Sequence, residues 1–162
     1  MNWMLVLFCL VFFPMVSIIP GFAAEKVVIG AEEEVVLLPW NVKIPARIDT
    51  GATLSSIDVC DYAVRDEHVD FTLADRCGGH KVHLPLIGWK EVRTSEGMER
   101  RPIVQMELCL GPYRMLTQFT INDRSSMEFP ILIGRNTLQG KFVVDVESAR
   151  LSPPNCPIVR KP

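Results

Sequence analysis

What the chain lacks narrows its chemistry before any motif is read. It has three histidines and no His-Glu-x-x-His. His80 and His83 lie on a stretch that alternates like a strand, so they fall on opposite faces. Pro85 stands against the helix that would align them, and His68 is alone, so the histidines suggest no zinc site. There is no glycine-rich Walker loop to cradle a phosphate and no Cys-x-x-Cys for redox catalysis. The formal net charge of -2 offers nothing to a nucleic-acid backbone. No internal repeat and no low-complexity segment interrupts the 162 residues, a length that suits one domain with its own core. Neither a metal nor a cofactor is expected.

Charge is also missing from the first 24 residues. All 17 Lys and Arg and all 19 Asp and Glu follow Ala24. The run Met1–Ala24 is apolar, broken only by Asn2, Pro14, Ser17, Pro20 and Gly21. Ending in Gly21-Phe22-Ala23-Ala24, it reads as a secretory signal peptide cleaved after Ala23 or Ala24, although its start carries no Lys or Arg. The rival is an uncleaved anchor, which Pro14 and Pro20 weaken; only then is a membrane a partner. Export places the protein in the periplasm or outside the cell. Cys9 lies inside the apolar run and receives no role. The remaining Cys60, Cys77, Cys109 and Cys156 allow three disulfide pairings, and sequence does not choose among them.

From residue 25 to 150 the pattern is of short strands and little helix, hence an all-β closed fold. Lys26–Gly30 and Glu34–Leu38 read as strands, with Ala31-Glu32-Glu33 as a solvated link. Ile44–Ile48 and Leu54–Cys60 follow, then a polar segment from Asp61 to Glu67, a strand at Val69–Leu73 and an alternating run from His80 to Leu86. Trp89–Thr94 and Pro102–Leu108 form a hairpin around Ser95-Glu96-Gly97. Gly111-Pro112 turns a second hairpin, in which Leu116, Gln118 and Thr120 alternate against Thr117, Phe119 and Ile121. The strand Ile131–Ile133, a helical turn at Asn136–Gln139 and the strand Phe142–Val146 complete the domain. Residues 151–162 are a proline-rich tail.

Within this frame, Pro45-Ala46-Arg47-Ile48-Asp49-Thr50-Gly51-Ala52-Thr53-Leu54-Ser55-Ser56-Ile57 is the stretch with chemical content. An apolar strand runs into Asp-Thr-Gly, whose glycine lets the backbone turn sharply. Asp49 is then held at a loop tip by strands on both sides. The other reading of Asp49 is a carboxylate that merely shapes a turn. A second stretch, Phe129-Pro130-Ile131-Leu132-Ile133-Gly134-Arg135-Asn136-Thr137-Leu138, takes an apolar strand to a glycine and into a helical turn.

Together these two segments resemble the signature motifs of the retropepsin-like aspartic proteases. The run from Ile29 to Val146 is similar to the bacterial branch labelled ATP-dependent zinc proteases. Asn122-Asp123-Arg124-Ser125-Ser126-Met127-Glu128-Phe129-Pro130 and Gly140-Lys141-Phe142-Val143-Val144-Asp145 carry that likeness. The resemblance implies a closed acid-protease barrel with a flap hairpin and one short helix. It implies an endopeptidase acting on a peptide or protein, with Asp49 as the catalytic acid and base. The chain has a single Asp-Thr-Gly, so a pair of carboxylates requires a homodimer. Two such groups face to face share a proton. Thr50 then buttresses the loop across the interface, while Gly51 and Ala52 leave room for substrate. Thr53 and the hairpin tip Ser95, Glu96 and Gly97 are expected to line the substrate site, unless the hairpin is an ordinary surface one. Ile133, Gly134 and Arg135 form the second motif.

Arg47 departs from the resemblance, because retropepsins usually carry an apolar residue two before the aspartate. A cation there can steer the site towards acidic peptides, or simply be a solvated arginine at a strand end. Asp123 and Asp145 are expected to be structural, with Arg124 and Arg135 as partners of Asp145 or as supports of the dimer. The alternative for the whole chain is a non-proteolytic periplasmic domain that holds a peptide or partner in the same cleft.

Overall fold

A computed structural model describes residues 25–38, 40–94 and 97–157. The proposed signal segment, Ser95, Glu96 and the end of the tail lie outside the described residues. Among the described residues, no helix is long and apolar enough to cross a membrane.

Eleven strands and one short α-helical turn, with a 3-10 turn at Asp75–Cys77, make up the described fold. They are β1 (Val27–Gly30), β2 (Glu32–Leu38), β3 (Val42–Ile48), β4 (Ser55–Arg65), β5 (His68–Leu73), β6 (Lys81–Pro85), β7 (Gly88–Thr94), β8 (Gly97–Leu110), β9 (Tyr113–Asn122), β10 (Ile131–Ile133), α1 (Arg135–Leu138) and β11 (Phe142–Asp145). Six strands close on themselves in the order β10-β3-β2-β8-β9-β4, with β4 returning to β10. The fold is therefore the all-β closed barrel that the sequence implied. Alternation fills its interior: Ile44, Ala46 and Ile48 from β3, Val104, Met106 and Leu108 from β8, and Phe119 and Ile121 from β9 are all buried. Each of the larger of these side chains contributes roughly 1.5–3 kcal/mol by leaving water.

Two strands are much longer than their barrel segments. β4 pairs β9 and β10 over its first residues, passes an irregularity between Val59 and Asp61, and continues against β5 to Arg65. Asp61–Arg65, expected as a polar connection, is thus strand. A bulge bends the strand out of the barrel, where Val64 still packs against the core but Asp61, Tyr62 and Arg65 are exposed, so polar side chains are tolerated. Asp66 and Glu67 make the following turn with φ of 47° and 61°. β8 behaves likewise, pairing β2 and β9 inside and β7 outside.

Glu33 is the second correction. Instead of being solvated it is 1% exposed, on the same face of β2 as Val35 and Leu37. Its carboxyl group accepts the backbone N–H groups of Gly30 (2.7 Å), Leu151 (3.0 Å) and Ser152 (3.3 Å). Phase decided its burial, and three donors make that burial tolerable. The tail is consequently part of the fold. Cys156 is bonded to Cys109, which resolves the pairing, and Cys60 and Cys77 are free thiols.

β1 and β11 form a separate parallel pair beside the barrel. At its end, Asp145 accepts the Ser148 hydroxyl (2.7 Å) and the Glu147 N–H (3.0 Å), not a bond from either arginine expected to partner it. Both contacts favour the charged carboxylate, Ser148 most, and hold Asp145 below the usual range. Ser148 O in turn accepts Ala31 N–H at 2.7 Å. Because the folded value is depressed, the stabilisation is full above about pH 4 and fades as pH falls through the folded value. Asp145→Ala should therefore melt below wild type near neutrality, and the gap should narrow below about pH 4. A melting-temperature difference that stays constant from pH 7 to strongly acid conditions would contradict this.

Candidate active site

β10 threads between β3 and β4. It runs parallel to β3 (Leu132 beside Arg47) and antiparallel to β4 (Leu132 beside Ser56). This brings the two sequence stretches together at one end of the barrel. Asp49 leaves β3 there, its N–H donating to Ile133 O at 2.9 Å. Its Oδ1 accepts the N–H groups of Gly51 (2.8 Å) and Ala52 (3.1 Å). Among the described residues Oδ2 has no hydrogen bond, and the side chain is half-buried. One oxygen fixes the group and the other is available for chemistry. A Cβ on Gly51 would lie 3.1 Å from that fixed oxygen, so glycine lets the turn close on the carboxylate.

The loop is clamped from α1. Arg135 Nη1 donates to the carbonyls of Thr50 (2.8 Å) and Gly51 (2.7 Å), and Nη2 to Thr53 Oγ1 (3.2 Å). Arg135 N–H reaches Ala52 O at 2.9 Å and Asn136 N–H reaches Thr53 O at 3.1 Å. Asn136 Oδ1 accepts from Ser55 N–H (2.9 Å) and Ser55 Oγ (3.0 Å), while Ser55 Oγ accepts Gly134 N–H at 3.1 Å. A Cβ on Gly134 would sit 2.6 Å from Leu54 C and O, so the two segments approach as closely as glycine allows. Ser55, Asn136 and Thr137 lie within the two stretches read from sequence but received no role there; the only signal was polar residues adjoining apolar strands.

The other expected residues lie as follows. Arg47 is half-exposed and pairs with Glu32 at 3.2 Å. Thr50, Gly51 and Thr53 are exposed and Ala52 is partly covered. Gly97 opens β8 with its carbonyl accepting Thr94 Oγ1 at 3.1 Å. Asp123 accepts Ser125 N–H at 2.8 Å and, through that contact first, is held low. Arg124 bonds to Ser56 Oγ (2.9 Å) and Phe129 O (3.3 Å). Cys77 is buried, which pushes its thiol up to about 12, and it is unreactive as a nucleophile. His68, alone in sequence, stacks on His83 with centroids 4.7 Å apart, whereas His80 stacks on Trp40 at 5.4 Å.

A strand-end aspartate and a glycine–arginine turn, crossed around a central strand in a six-stranded barrel, define the retropepsin-like class. The chain belongs to the RimB-like family, whose model, described as retropepsin-like aspartic endopeptidase RimB, matches residues 28–155. Its curated relatives include proteins named "Probable alpha-L-glutamate ligase". The one from Parasynechococcus marenigrum is 28% identical over 135 residues, covering 77% of this chain and 29% of its own. The one from Shewanella halifaxensis is 28% identical over 131 residues, covering 75% and 29%. The chain thus spans less than a third of the length of these relatives. A crystal structure of a Legionella pneumophila protein of unknown function (DUF785) superposes with a TM-score of 0.67 at 20% identity, covering 78% of this chain and 98% of that one.

Proposed function

We propose that the chain is an exported aspartic endopeptidase that works as a homodimer, with Asp49 of each copy forming the catalytic pair. The observation that carries this reading is the carboxyl group of Asp49, pinned through Oδ1 and open at Oδ2. Two such groups across a two-fold axis share one proton. The ionised one takes a proton from a water molecule, whose oxygen attacks the peptide carbonyl. The protonated one gives its proton to the carbonyl oxygen. The tetrahedral intermediate then collapses, its amide C–N bond breaks, and the leaving nitrogen receives a proton from the pair. The clamp from Arg135 holds the Asp49 loop of its own copy in place for the reaction.

Export is supported by the uncharged N-terminal run and by the Cys109–Cys156 disulfide, which persists in oxidising compartments. The relatives' name makes α-linked glutamate the first substrate class to try, as do the cations beside Asp49. Sedimentation should find dimers, and those dimers should cleave acidic peptides with a bell-shaped acid optimum set by the pair's two apparent pKa values. A monomer under every condition, binding peptides without cutting them, would instead mark a docking domain.

A further inference from the structure

Beyond the barrel, β4, β5 and β6 continue as a three-stranded wing, with β6 as the last strand of the sheet. Residues opposite one another on antiparallel strands share a face. One face of the wing therefore presents two rows, Asp61, Thr72 and Lys81, then Ala63, Asp70 and His83. The intervening Tyr62, Phe71 and Val82 turn to the opposite face and leave backbone as a floor. The bulge between Val59 and Asp61 adds twist, which hollows this face. Between the rows lies a saddle of about 420 Å³.

Its charges are sorted by strand. Asp61 on β4 and Lys81 on β6 are both exposed, and among the described residues neither has an ion pair. Asp70 is already engaged. A carboxylate only accepts, so His83 donates its Nδ1–H to Asp70 at 2.7 Å. His83 is steadied in turn by its stack on His68. The saddle is thus left with an unmatched anion at its β4 end and an unmatched cation at its β6 end. The half-buried Thr72 stands between them in the row.

We infer that this saddle binds a short peptide with both ends free, its ammonium group at Asp61 and its terminal carboxylate at Lys81. The dimensions agree. Two interstrand spacings put β4 and β6 about 10 Å apart, and an extended tripeptide spans at most about 10 Å. Rows two residues apart leave a width of about 7 Å, room for one extended backbone. Ala63, opposite the free carboxylate's neighbour Tyr62 in sequence, keeps the ammonium end open. Thr72 is placed to hydrogen-bond the peptide's central amide. Asp61 lies about 20 Å along β4 from Ser55, so this site is separate from the Asp49 loop and needs no peptidase activity.

Trialanine, whose only charges are its two ends, is the probe. It is titrated into the Asp49→Asn protein alongside its N-acetyl, C-amide and doubly blocked forms, and backbone amides are followed by NMR. Free trialanine should shift the amides of β4, β5 and β6 and bind about tenfold more tightly than the doubly blocked form, each end supplying about threefold. Asp61→Asn should erase the penalty for acetylation and keep that for amidation. Lys81→Gln should do the reverse. Both positions are exposed, so neither substitution threatens the fold. Equal binding of the four peptides, no binding, shifts confined to the Asp49 loop, or end penalties unchanged in the two variants would each overturn the site.

Discussion

Wild-type chains mixed with an excess of Asp49→Asn chains are expected to be silenced, not merely diluted. A pair of carboxylates built from two copies needs an aspartate from each, so a mixed dimer has one group that cannot exchange a proton. Alone, the variant should lose on the order of 10²–10⁴-fold in kcat, because both the base and the acid role pass through the same side chain. In a mixture at exchange equilibrium, the activity left per wild-type chain equals the wild-type fraction. At a ninefold excess of variant it should fall to about a tenth, by mass action alone. The Asn side chain keeps the Oδ1 that Gly51 and Ala52 hold, so the loop itself should survive the substitution.

The contrast with a single-chain site is clean. If one copy suffices, wild-type activity is untouched by any amount of variant. The measurement requires that chains exchange, which labelled subunits can report in the same tube. Activity independent of variant excess, in the presence of demonstrated exchange, would end the shared-pair mechanism.

How much of this was legible in the sequence differs by element. Alternation along β3 turned Ile48 towards the core, where Ile44 and Ala46 join it, and both stretches that meet at the Asp49 loop were recognised as motifs. Glu33 was misplaced because its charge was weighed above its phase, and the donors that satisfy it come from Gly30 and from residues 118 and 119 positions away. Asp61–Arg65 was misplaced for a related reason: outside the barrel only Val64 reaches the core, too little to print an alternation on the sequence. Arg135 was recognised as part of the second motif, but its partners are backbone carbonyls, which no side-chain pattern can announce. The disulfide was open among three pairings because it joins chain segments 47 residues apart.

Glu33→Ala is expected to be strongly destabilising, by about 3–5 kcal/mol, since it strands the buried Gly30 N–H and the part-buried N–H groups of Leu151 and Ser152. Its carboxyl group ties β1, β2 and the tail together. The effect should reach the active site, because Ala31 O, next along the chain, accepts Ile48 N–H at 2.9 Å, just before Asp49. Glu33→Gln should cost much less. One amide oxygen can still accept both Gly30 and Leu151, which already share Oε1. The Cys109–Cys156 bond holds the same tail from its far end, and its loss should cost about 2–4 kcal/mol. The two effects should not add: once the tail is released by reduction, removing Glu33 strands fewer donors. Denaturant melts of wild type and Glu33→Ala, oxidised and reduced, give the four corners of the cycle. Equal penalties for Glu33→Ala and Glu33→Gln, or strict additivity with reduction, would mean that the tail is not held in the way these contacts describe.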